Sequence, residues 1–155
     1  MKYILPIFIL LFCACSVKDY EATQTKIIII KSPKLKFADV GYIRNTSKNI
    51  ELELFIAGKP VEKFTLNHLI CTDDGCMSKS GFNADYLHSS YPDDILQNIL
   101  LGKQIYGGEN RVQSKLGFEQ KIKNEYVNII YKVSSQEIYF KDKRNKILFK
   151  IKDTK

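Results

Sequence analysis

The chain has 155 residues, a formal net charge of +7, four cysteines and no tryptophan. That length suits one domain with one hydrophobic core. The lysines are scattered through strand-like segments rather than gathered in a patch, which argues against nucleic acid as a partner, and no apolar run reaches the roughly 20 residues of a membrane-spanning helix.

The first stretch reads as a signal peptide over residues 1–14. One positive charge, Lys2, precedes an apolar run over residues 3–12, within the roughly 7–15 residues of a secretory signal core. The run ends at Phe12-Cys13-Ala14-Cys15. This order resembles the lipobox of bacterial lipoproteins, with Phe12 where that family usually has leucine and Cys13 where it usually has Ser, Ala or Gly. The resemblance implies that the Cys15 thiol takes a diacylglycerol, that the bond before it is cut, and that the new N-terminus is acylated, for example with palmitate. No cofactor besides this covalent lipid is expected. Each buried methylene adds about 0.8 kcal/mol, so several chains anchor a protein far more firmly than one. An ordinary secretory signal cut nearby would instead leave Cys15 as a free thiol. Ser16 stands where lipoproteins kept in the inner membrane commonly carry Asp, so the implied destination is the outer membrane, facing the periplasm.

Residues 15–25 then read as the lipidated cysteine and a polar tether, and 26–155 as a single β-rich domain. Residues 27–30 read as a buried strand. Leu35, Phe37, Val40 and Tyr42 mark a second strand over 34–44, ending at the turn 45–49. Residues 50–55 alternate apolar and acidic, the pattern of a half-buried strand. A turn at 57–60 returns the chain as a partner strand over 61–66, and 68–71 continues it or begins another. A helical insert spans about 78–102. Phe82, Tyr86 and Leu87 mark a short helix over 78–88. A second covers 91–102, with Pro92, Asp93 and Asp94 in its first turn, apolar residues at 95, 96, 99 and 100, and Gly102-Lys103 closing it. Residues 112–122, 126–133, 137–141 and 146–151 read as strands again, the last two forming a hairpin. Antiparallel strands with one apolar face must curl to hide it. The expected fold is mainly β: a strongly curved antiparallel sheet or open β-barrel, with the two-helix insert as a lid.

Cys71 and Cys76 flank Thr72-Asp73-Asp74-Gly75. In an oxidising compartment, an even pair at close spacing favours a disulfide. The competing reading is zinc held by His68, Cys71, Cys76 and His88, whose donor set is acceptable but whose cysteine spacing is wider than usual. A redox pair normally has two intervening residues, so that reading is weaker still, and no metal is expected. Catalysis has little support, and the chain is read as a non-enzyme. There are two histidines and no Gly-x-Ser-x-Gly turn. Asp93 and Asp94 suit a helix N-terminus, and Gly107-Gly108 lacks the rest of a phosphate loop.

The order of strands, a helix ending Leu101-Gly102-Lys103, then Leu116-Gly117-Phe118-Glu119-Gln120 and terminal strands resembles the LolB-type outer-membrane lipoprotein receptor over roughly residues 34–152. The resemblance implies an apolar cavity that binds acyl chains and helps to localise or insert lipoproteins, with a periplasmic lipoprotein carrier and other lipoproteins as partners. Phe37, Leu52, Leu54, Phe118, Ile129 and Tyr131 would line it, with Ile95, Ile99 and Leu100 of the lid, while Ile56 and Val61 would present a loop to the membrane. Two features depart from that family: the tether is short and polar, and tryptophan is absent. The alternative is a structural or accessory lipoprotein of an envelope assembly, with a filled core and its working surface outside. Interior volume separates the two.

Overall fold

The computed structural model describes residues 20–154; the signal peptide, Cys15 and Ser16 lie outside the described residues. Strands β1 (Ala22–Lys31), β2 (Lys36–Asn45), β3 (Ile50–Ile56), β4 (Lys59–Leu66), β5 (Ile70–Thr72) and β6 (Gly75–Met77) come first. Helices α1 (Lys79–Tyr86) and α2 (Ile95–Leu100) follow. Strands β7 (Arg111–Ser114), β8 (Gly117–Lys123), β9 (Asn128–Ser134), β10 (Glu137–Asp142) and β11 (Ile147–Asp153) complete the chain.

All eleven strands form one antiparallel sheet in the order β6-β5-β4-β3-β2-β1-β11-β10-β9-β8-β7. The first and last long strands meet at its centre, from Lys26 opposite Asp153 to Lys31 opposite Leu148. The sheet is not closed, because β6 and β7 remain its two edges. The fold is therefore the expected one: mainly β, an open curved sheet with a helical insert.

On the longer strands one residue parity faces inward. Ile28 and Ile30, Leu52 and Leu54, Phe64 and Leu66, Ile129 and Tyr131, and Phe149 and Ile151 lie in a single buried cluster. Residues Ile95, Leu96, Ile99 and Leu100 of α2 complete it. Burying one such side chain stabilises the fold by about 1.5–3 kcal/mol, so this inner face dominates the energetics. Helix α1 starts where Ser78 Oγ accepts the Gly81 N–H at 3.0 Å, a side-chain N-cap. Its Phe82 stacks on Tyr86 with centroids 4.5 Å apart, and both rings meet the Phe64 edge of β4.

Several boundaries differ from the sequence reading. Strand β1 begins at Ala22, inside the stretch read as tether, and pairs Ala22–Gln24 with Ile43–Asn45. Its first residues need no burial to pair, so their polarity hid them. The stretch 112–122 is not one strand but a hairpin, β7 and β8, turning at Lys115-Leu116. Residues 68–77 contain a second small hairpin, β5 and β6. The second helix is shorter than its pattern, because Pro92–Asp94 form a turn leading into it, with Ile95 N–H bonded to the Pro92 carbonyl.

Candidate functional site

The interior beneath the helices is where an acyl chain would have to sit. Phe37, Leu52, Leu54, Ile129, Tyr131, Ile95, Ile99 and Leu100 all have 5 % exposure or less, and Phe118 packs against them half-buried. The space among Ile30, Leu52, Phe64, Phe82, Leu96 and Phe149 has a volume of about 10 Å³. A single water needs about 10–15 Å³ of such volume, and a pocket for a sizeable ligand has about 300–1,000 Å³. The residues expected to line a cavity thus lie within or against one buried cluster, and the space that Leu52 borders holds at most about one water. Inward apolar side chains from both halves of the sheet join the α2 face in this cluster.

Three polar side chains of the sheet, all buried, tie the helical insert down. Gln120 of β8 behaves like a short piece of backbone: its Oε1 accepts the Ile105 N–H at 2.9 Å, while Nε2 donates to the carbonyls of Ile105 at 2.9 Å and Glu109 at 2.8 Å. Tyr131 of β9 donates its hydroxyl to the Lys103 carbonyl at 2.8 Å and lies 3.3 Å from that of Asn98. The Asn98 oxygen belongs to the last turn of α2, where helical carbonyls lack partners within the helix, and Lys103 follows just beyond that helix. Tyr91, in the turn before α2, donates to Asp142 Oδ2 of β10 at 2.8 Å.

Asp142 also accepts the N–H groups of Asn128 at 3.1 Å and Arg144 at 2.9 Å, and the Asn145 amide at 2.7 Å. Burial pushes its carboxyl pKa upward, but the donors from Asn128, Tyr91 and Asn145 outweigh this and hold it below the usual range. The same contact acts oppositely on the phenol. Burial, then the Asp142 acceptor, raise the pKa of Tyr91 well above that of a free tyrosine. Burial also pushes that of Tyr106, close by, up to about 12.

The outer surface is different in kind. A recess of about 1160 Å³ crosses β8 to β11 and is lined among others by Phe118, Lys121, Ile130, Lys132, Tyr139 and Lys152. Each of its two glutamates sits between two lysines. Glu119 lies 3.1 Å from Lys121 and 3.2 Å from Lys132, and Glu137 lies 3.7 Å from Lys150 and 3.2 Å from Lys152. Hydrogen bonds from Lys121 and Lys132 lower the Glu119 pKa. Exposed pairs of this sort add little stability.

Ile56 and Val61, the membrane-loop candidates, flank a tight turn at Ala57-Gly58, both residues of which have positive φ, as a two-residue hairpin turn requires. Ile56 is 53 % and Val61 45 % exposed, so this tip does present apolar side chains outward. Cys71 and Cys76 stand opposite each other on β5 and β6 and are joined by a disulfide. With both sulfurs bonded together, neither serves as a zinc thiolate. His88 Nδ1 instead lies 2.7 Å from Ser90 Oγ. Among the described residues no group of His, Cys, Asp and Glu is arranged to hold a metal ion.

Sequence reasoning counted Tyr131 as an apolar liner and gave Gln120 and Asp142 no role. A signal existed for both: they occupy inward positions in strands whose other inward residues are apolar. No family model, curated protein or solved structure matches the chain.

Proposed function

We propose that this protein is an outer-membrane lipoprotein anchored through Cys15 and facing the periplasm, where it serves as a structural or accessory subunit of an envelope assembly and works through its surface. The observation that carries this reading is the filled interior under a tied-down insert. A lid that admits ligand must lift, and lifting this one would break the Tyr91–Asp142, Tyr131–Lys103 and Gln120–Ile105 contacts together. Each unpaired buried polar group would cost about 1–3 kcal/mol. The anchoring part rests on Phe12-Cys13-Ala14-Cys15.

One observation favours the acyl-chain receptor as a second reading: the exposed Ile56 and Val61 at a hairpin tip. On that reading the core would open on meeting a carrier, and the tip would touch the membrane as a lipoprotein is released.

The test has two arms. Cys15→Ser should abolish palmitate labelling and sedimentation with membranes; unchanged labelling and sedimentation would reject the lipoprotein reading. Protein extracted from membranes should carry no lipid beyond its own covalent chains by native mass spectrometry. A stoichiometric lipoprotein or fatty acid, together with slower lipoprotein release by the double variant Ile56→Asp, Val61→Asp, would put the receptor reading first.

A further inference from the structure

We infer that the β7–β8 hairpin tip, Lys115-Leu116, is a second point at which this protein touches the membrane surface, beside the lipid on Cys15; the inference rests on the lipoprotein reading.

The alternation of strands sorts the turns into two ends. The start of β1, the turns at 46–49, 67–69, 115–116 and 134–136 and the end of β11 share one end of the sheet. The turns at 32–35, 57–58, 73–74, 124–127 and 143–146 share the other. A lipid on Cys15 must leave from the first end, where β1 begins at Ala22. From Tyr20 onward the chain is held to the fold. The Tyr20 hydroxyl donates to Glu51 Oε2 at 2.7 Å, near the start of β3, and the Arg44 guanidinium lies 5.8 Å from the Tyr20 ring. Cys15 to Tyr20 spans at most about 18 Å even fully extended, at about 3.3–3.6 Å per residue. The end holding Leu116 is therefore kept close to the bilayer. The tip at Ala57-Gly58 lies a strand length beyond it, about 20 Å at about 3.3 Å per residue.

What this end shows the bilayer is apolar and basic. Leu116 at the tip is 73 % exposed, with exposed Lys115 beside it; Val112, 67 % exposed, and exposed Arg111 stand farther up the same hairpin, at the start of β7. Such a pair of chemistries suits the boundary between phosphate headgroups and acyl chains. The exposure is built in. A Cβ on Gly117 would come within 1.9 Å of the Val133 carbonyl oxygen, so the strand lies hard against β9 just after the tip. The Arg111 guanidinium covers the Phe118 ring at 4.5 Å, holding the two arms together. Leu116 cannot fold back onto the core without breaking both.

The absence of tryptophan supplies the experiment. Full-length lipidated protein carrying Leu116→Trp or Ile56→Trp is reconstituted into vesicles of phosphatidylethanolamine and phosphatidylglycerol with brominated acyl chains. An apolar side chain at a bilayer surface sits about 5–10 Å into the boundary, so Leu116→Trp should shift to the blue and lose about half its emission. Ile56→Trp should keep its emission. Lys115→Trp reports on the same turn should Leu116→Trp fail to fold. Equal or greater quenching at position 56, or no quenching at 115 and 116, overturns the inference while protein still floats with the vesicles. A blue shift without quenching also overturns it, since the tip then meets protein. Failure to float marks the loss of the anchor reading itself, and this inference falls with it.

Discussion

Asp142 on the inner face of the sheet and Glu51 on the outer face are both carboxylates with almost no exposure, 0 % and 1 %, but they are kept in place differently. Asp142 is surrounded by dipoles: three backbone N–H groups, a phenol and an amide, largely from its own hairpin and the insert above it. Glu51 is met by Lys63 at 3.2 Å and by the Tyr20 hydroxyl at 2.7 Å. Lys63 is 43 % exposed, so one partner of Glu51 reaches into water, and another, Tyr20, belongs to the segment leading to the N-terminus. The inner site is part of the fold. The outer one is a clasp between the fold and its tether, open to solvent ions.

The largest effect should come from the inner carboxylate. Asp142→Ala leaves several buried donors without acceptors and should cost about 3 kcal/mol in urea unfolding. Its pH dependence has a definite sign. The folded pKa is depressed, so the contribution of Asp142 is complete above the unfolded aspartate pKa of about 3.9 and is lost as pH falls through the lower folded value. Between pH 5 and pH 2 the unmutated protein should lose stability more steeply than Asp142→Asn. Parallel slopes would show that the depressed carboxyl is not the source.

Gln120→Leu keeps side-chain size but abandons the Ile105 and Glu109 backbone groups, and should cost about 2 kcal/mol. Hydrogen exchange should localise the loss to residues 103–109, whose amides would exchange faster while those of β3 and β4 do not. Uniformly faster exchange would mean that the insert and sheet open as one unit.

Legibility follows the same division between faces. The strands from 50 to 66 and from 126 to 151 were readable chiefly because inward positions are apolar and outward ones mostly polar, a period that burial on one side imposes, while 27–30 was readable only as an apolar run. The β7–β8 turn was not, because Lys115-Leu116 carries no turn signature at its centre and Gly117 comes one residue later. All four residues of β7 are exposed, so no alternation marks it. Similarly, β5 and β6 are too short at three residues each to show a period, although their cysteines betrayed the pairing. Whether the core was hollow could not be read at all. Phe37, Leu52 or Tyr131 suits a wall of a cavity as well as the middle of a packed interior, and only the meeting of distant strands decides.

The outer clasp should give the smallest change and the most conditional one. Glu51→Gln removes the ionic part of the contact with Lys63 and should cost about 1 kcal/mol or less, with the difference shrinking as salt rises. A cost of Asp142 size, insensitive to salt, would mean that Glu51 is as much part of the fold as its inner counterpart.

Both edges of the sheet are short strands, three residues in β6 and four in β7, and the disulfide clamps the first into its hairpin. Molecules confined to a lipid surface diffuse in two dimensions, where collisions between copies are frequent and orientations are shared. Long free edges in that setting would seed ribbon-like stacking from one molecule to the next. Edges this short offer a neighbour few unpaired backbone groups, so crowding at high copy number should leave the protein dispersed.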